Sequence, residues 1–153
     1  DVQVMVDLTN PTISSISPRR SDEFFREEHS KPVECRVERA DQIMHQEQID
    51  RVDFVKIDVE GHELSVLRGF GSRLKCSESR PRVIQFEYGE TDIPFGSSLF
   101  QMAELLKWSG YVFGRIYPNH INFKEYEYVD EHFRMGNYVA VQSDDKIREK
   151  LAG

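Results

Sequence analysis

Asp58, Glu60, His62 and Glu63 crowd into six residues of "VDFVKIDVEGHELSVLRGFG", which runs from Val52 to Gly71. An apolar run ends in acids, passes through Gly61 and becomes helical in pattern. Carboxylates so placed can grip an ammonium, a hydroxyl or a cation, and one of them can remove a proton from a substrate hydroxyl. His62 beside carboxylates is expected to have its pKa raised, as a base or a donor. A solvated residue at a helix start is the plain alternative. Gly61 reads either as a plain tight turn or as a backbone position needing an angle only glycine takes easily. Glu63 reads as a complement to the helix dipole. A second strand pattern, "RPRVIQFEYGE", also ends in acid, at Glu87 and Glu90, with Tyr88 between them. Tyr88 is left open between stacking on a ligand and covering the sheet.

These groups need a scaffold that brings two strand ends to one edge. Val52 to Val59 reads as a strand apolar on both faces, as in a central parallel strand covered by helices. Leu64, Leu67, Phe70 or Gly71, and Leu74 then repeat at helical spacing. After the Arg82–Tyr88 strand, Ser97 or Ser98 can cap a helix carrying Leu99, Met102, Ala103, Leu105, Leu106 and Trp108, with Gly110 as terminator. "YVFGRIY" and "GNYVAVQS" are strands, "PNH" is a turn that includes His120, and "INFKEYEYVD" is a short strand or loop. The alternation predicts an open α/β sheet whose last strands pair antiparallel. Ligands of such sheets sit outside the carboxyl ends of the parallel strands, where Asp58, Glu60, Glu87 and Tyr88 would gather.

Upstream, Val2, Val4 and Val6 alternate with polar residues as a strand that could extend to Leu8. "TNPTISSISPRRS" reads as a loop, and the Ser14-Ser15 pair within it as loop chemistry. "DEFFREEHSK" reads as one or two helical turns. Val33, Cys35 and Val37 alternate as a further strand. Asp41 sits where a helix N-cap belongs, before "QIMHQEQID". The resulting division is a single partial domain over 1–153: a strand and hairpin region at 1–40, an α/β core at 41–144 and a fraying tail at 145–153.

The 153 residues suit one domain with a substantial core. A net charge of -7 argues against nucleic acid as a general partner. No apolar run approaches the ~20 residues of a membrane span, and no signal-peptide pattern is read. Cys35 and Cys76, without paired spacing, read as reduced thiols, so a cytoplasmic protein is expected. Asp58 and Glu60 could share one hard cation, but no zinc spacing is present, and no metal is expected.

"DFVKIDVEGHELSVLRGF" resembles the hallmark of the FkbM family of S-adenosylmethionine-dependent methyltransferases. "VERADQI" resembles the segment preceding that hallmark, "RPRVIQFEYGE" the strand after it, and "GNYVAV" the closing strand. The resemblance implies an open Rossmann-like class I methyltransferase sheet and methyl transfer to a hydroxyl of a sugar or natural product. It implies that Asp58 stands at the fourth strand's tip beside the cofactor's methionine end, with Glu60 at the same pocket. Glu60 or His62 would be the catalytic base, and Glu87 and Tyr88 would face the acceptor, a small molecule or glycan. The Gly-rich cofactor loop of such enzymes has no counterpart here. The only G-x-G, Gly69–Gly71, lies at the rear of a helix. The chain is therefore expected to be the C-terminal part of the domain, lacking the first strands. An exposed apolar edge is then expected, with pairing to itself or to an N-terminal half. Two other readings stand beside this one. The first is a non-catalytic assembly or binding module derived from such a domain. The second is a magnesium-dependent α/β enzyme acting on a phosphate.

Overall fold

The structure, a computed structural model, describes residues 1–7, 16 and 30–151. They fall into two compact units, 1–38 and 39–153. The expectations for the loop at 9–21, including Ser14-Ser15, for most of "DEFFREEHSK" and for Leu8 lie outside the described residues.

In the first unit, β1 (Val2–Asp7) pairs antiparallel with β2 (Ser30–Cys35). The alternation around Cys35 does not continue the strand, and Val37 is exposed.

The second unit carries a mixed five-stranded sheet: β3 (Phe54–Ile57), β4 (Val83–Tyr88), β5 (Tyr111–Tyr117), β6 (His120–Phe123) and β7 (Gly136–Gln142). Their spatial order is β3-β4-β7-β5-β6. β3 and β4 are parallel, and β7 returns between β4 and β5, antiparallel to both. β5 therefore runs parallel to β4. β6 folds back on β5 as a hairpin through Pro118-Asn119, with His120 opening the strand rather than lying in the turn.

One sheet face is covered by α1 (Ala40–Gln46), α2 (Glu63–Gly69) and α3 (Leu99–Trp108). Leu64, Leu67, Phe70 and Leu74 are all buried, the last within a 3-10 turn over Gly71–Leu74. They meet Ile84, Phe86, Tyr88, Leu99, Met102 and Leu106 in the main core. At about 25 cal/mol per Å2 of apolar surface, such burial is what holds a short helix that is marginal alone. The other face buries Val83, Val139 and Val141 beneath Ile147 and Leu151 of α4 (Ile147–Leu151). The expected fraying tail is thus a short helix, tied to the sheet by a two-pronged ion pair between Arg82 and Asp145.

Three local expectations are corrected. β3 is an edge of the sheet among the described residues, and Phe54 is 55% exposed. Its apolar run reads as two-sided, but it has a neighbour on one side only. Asp41 is not the cap of α1, which starts at Ala40 after Arg39. Asp41 instead takes a double hydrogen bond from the Arg39 guanidinium, at 2.9 and 2.7 Å. Trp108 fits the apolar spacing of α3 but is 78% exposed, its indole N–H donating to Glu104. Ser98 does cap α3: the Gln101 N–H donates to its Oγ at 3.2 Å, and the Ser98 N–H donates to the Gln101 side chain. Gly110 follows α3 with φ 81°, in the left-handed region glycine adopts freely.

Candidate active site

Parallel pairing sets Ile57 opposite Phe86, so the chain leaves β3 at Asp58 and β4 at Glu87 on the same edge. From Asp58 the backbone reverses through Glu60 at φ 57° and Gly61 at φ 101° before α2 begins. Glycine is required at 61 on two grounds. The angle is one that side chains rarely adopt, and a Cβ there would lie 2.1 Å from the Thr91 carbonyl oxygen and 2.7 Å from the Phe95 ring. The segment after β4, a 3-10 turn over Glu90–Phe95, therefore presses directly onto the turn after β3.

Glu63 is the residue whose role the sequence under-read. Its side chain is 1% exposed. One carboxylate oxygen accepts the Val59 N–H at 3.0 Å and the other the Gly61 N–H at 2.8 Å. It locks the turn from inside, where a dipole complement would stay in solvent. Burial raises its carboxyl above the usual carboxylate range, against the pull of those N–H donors.

The electrostatics join the two strand ends. Burial raises the Glu87 carboxyl first, and the negative charges of Asp58, Glu60 and Glu63 raise it further. Lys56 opposes them, and its ammonium ion-pairs with Asp58, which is half exposed. The ends of β3 and β4 thus form a patch of carboxylates with the Lys56 ammonium beside it.

His62 stands at the N-cap position of α2, its ring tilted at 44° against Phe95 with centroids 3.9 Å apart. Burial lowers its pKa, the reverse of the expected rise. The cause is desolvation against Phe95, which no carboxylate is placed to offset. Its Nε2 is buried without a hydrogen-bond partner among the described residues.

Tyr88 is fully buried among Phe133 and Tyr138, and its hydroxyl donates to Glu131. It covers the sheet and presents no face to a ligand in this arrangement. Two further acids had no sequence signal. Glu131 accepts from Tyr88, from the hydroxyl of Tyr126 at 3.0 Å, and from the Leu99 and Phe100 N–H groups at 3.0 Å each. These donors hold its carboxyl below the usual range although burial pushes upward. Asp92 is 0% exposed, and only its Oδ2 has a partner, the Gly89 N–H at 3.1 Å. Burial, with Glu63, Glu131 and Glu87 nearby, raises its pKa to about 7.

Among the described residues, no group of three or more His, Cys, Asp or Glu side chains is arranged to hold a metal ion. Cys35 and Cys76 are free thiols, and no described helix is long and apolar enough to cross a membrane.

No curated protein matches the chain, and no solved structure matches it. A family model does match: that of the methyltransferase FkbM domain, over residues 4–113. The match contains β3, the Asp58–Glu63 turn, α2, β4 and α3. It stops before β7, where the "GNYVAV" resemblance lies. Covering more than half of the chain, this match establishes that the protein belongs to the methyltransferase FkbM domain family.

Proposed function

We propose that the chain methylates a hydroxyl oxygen of a sugar or natural product, using S-adenosylmethionine. The five strands are then the later part of an open Rossmann-like sheet, with β3 and β4 as its fourth and fifth strands. The parallel β3–β4 pair and the reversed β7 beside it support that reading.

The observation that carries the proposal is the carboxylate patch at the ends of β3 and β4. Burial there raises the Glu87 carboxyl, and the negative charges of Asp58, Glu60 and Glu63 raise it further. The methionine end of S-adenosylmethionine bears an ammonium, a sulfonium and one carboxylate, a net positive charge, and its cationic groups at this edge relieve that repulsion. Asp58 and Glu60 would hold the methionine end. When bound, the cofactor offers a methyl on positively charged sulfur, whose departure leaves a neutral thioether. Glu87 then orients the acceptor hydroxyl, and Glu60 or His62 takes its proton. Holding acceptor and methyl in line supplies most of the acceleration.

Calorimetric titration of the chain with S-adenosylmethionine, beside Asp58→Asn, tests this. Binding weakened about tenfold or more by the substitution is expected, since a hydrogen bond to a charged group contributes roughly 1.5–3 kcal/mol. Equal binding by both proteins, or none by a folded chain, would sink the proposal.

A further inference from the structure

Arg115 is a half-buried cation toward this end of the sheet that, among the described residues, no carboxylate meets. It lies on β5, opposite Tyr138 of β7, which lies opposite Phe86 of β4. Arg115 thus shares the Phe86 face of the sheet, one residue short of the Glu87 row and on the face opposite Glu87, two strand spacings from β4, roughly 10 Å. Its guanidinium carbon stands 5.6 Å from the Tyr117 ring centroid and 5.9 Å from that of Tyr138. Two aromatic faces hold the fork in place. Gly136 makes room for it: a Cβ there would lie 3.0 Å from Nη2 and 3.1 Å from Nε.

The guanidinium carries five N–H donors. Among the described residues its only hydrogen-bond partner is His132 Nε2, 2.6 Å from Nη1. The other ring nitrogen, Nδ1, faces the Arg134 N–H at 3.0 Å. A neutral imidazole accepts at one nitrogen only, so His132 satisfies one of these two donors. Beside the guanidinium is a cavity of about 90 Å3, lined among others by Tyr117, Asn122, Lys124, Asp130 and Tyr138. At roughly 30 Å3 per water, it holds about three waters, enough for one small polar group. Asp130 is the only acid in the lining, and Lys124 already pairs with it at 2.9 Å and with Glu127 at 2.8 Å.

We propose that Arg115 binds an oxyanion, a carboxylate or a phosphate, carried by the methyl acceptor. The planar fork matches both groups through two parallel hydrogen bonds. That the ligand is the acceptor rests on the methyl-transfer reading. The oxyanion site itself does not.

The test follows the arginine Nε–Hε signals of the full chain by NMR, without S-adenosylmethionine, as inorganic phosphate or acetate is added at constant ionic strength. One arginine signal should shift saturably with at least one of the two ions, and it should be the signal missing from Arg115→Lys. Arg115→Gln should weaken the binding at least tenfold. Tyr117→Ala, at an exposed position that folding tolerates, should weaken it several-fold if Arg115→Gln does not fold. A stronger response to phosphate marks a phosphorylated acceptor, and a stronger response to acetate a carboxylated one. No saturable shift in the unsubstituted protein, or a shift at an arginine other than 115, overturns the site. Saturable anion binding by a chain that does not bind S-adenosylmethionine overturns the acceptor assignment alone.

Discussion

The carboxylate of Glu63 accepts the N–H of Gly61 at 2.8 Å, two residues back, and so closes the turn that begins its own helix. Glu63→Gln keeps one acceptor oxygen but turns an amide NH2 toward the second backbone donor. One N–H, of Val59 or Gly61, is then buried unsatisfied. A loss of about 2 kcal/mol is expected, read as a lower urea midpoint at unchanged slope. An unchanged midpoint would mean that water replaces the missing acceptor.

Gly61→Ala tests the contact between the two strand-end segments. An alanine at φ 101° is strained, and its Cβ meets the Thr91 carbonyl oxygen and the Phe95 ring. Strain alone costs about 1–3 kcal/mol, and the clash adds to it. Thermal unfolding should show the loss. If the variant folds, the His62 ring signals should shift, because Phe95 must retreat from it. Unmoved His62 signals would show that the Glu90–Phe95 turn yields elsewhere.

The helices and strands were legible because spacing reports burial directly: Leu64, Leu67 and Leu74 at helical period, and Ile84, Phe86 and Tyr88 alternating with Gln85 and Glu87. Asp58, Glu60 and Glu87 were legible as neighbours because parallel strands put their carboxyl ends on one edge. What stayed hidden depends on contacts across sequence. Nothing local to Glu131 says that Tyr88 and the first N–H groups of α3 will converge on it. The burial of Asp92, and the lowered pKa of His62 against Phe95, come from one segment packing on another. Glu63 misled because an acid in a first helical turn is normally solvated, and here the helix start itself is inside.

Asp92 predicts a pH signature. Its pKa is about 7 in the folded chain, against about 3.9 in an unfolded one. The folded state therefore holds more protons than the unfolded state between pH 4 and 7, and stability falls as pH rises through that window. The slope from one proton is at most about 1.4 kcal/mol per pH unit. His62 acts in the opposite sense: its lowered pKa removes stability as pH falls below about 6.5. Asp92→Asn deletes the first contribution and leaves the second. Relative to the parent, the variant should gain stability steadily from pH 4 to 7 in urea titrations. A pH-independent difference would mean that Asp92 does not titrate in this window.

Tyr88→Phe separates a structural tyrosine from an acceptor-facing one. The hydroxyl donates to Glu131, a carboxylate that also takes the first two N–H groups of α3 and the Tyr126 hydroxyl. Removing one of four donors leaves Glu131 charged and still held by three. About 1–2 kcal/mol of stability should be lost, and the ring packing against Tyr138 should persist. Glu131→Ala, which strips every donor of its acceptor, should cost more, about 3 kcal/mol or above, and should fray α3 first in amide exchange. If Tyr88 only supports the sheet, Tyr88→Phe binds S-adenosylmethionine as the parent does, and its KM for an acceptor is unchanged. A raised KM at parental stability would instead place the hydroxyl at the acceptor, and would require the Glu131 contact to open when the acceptor binds.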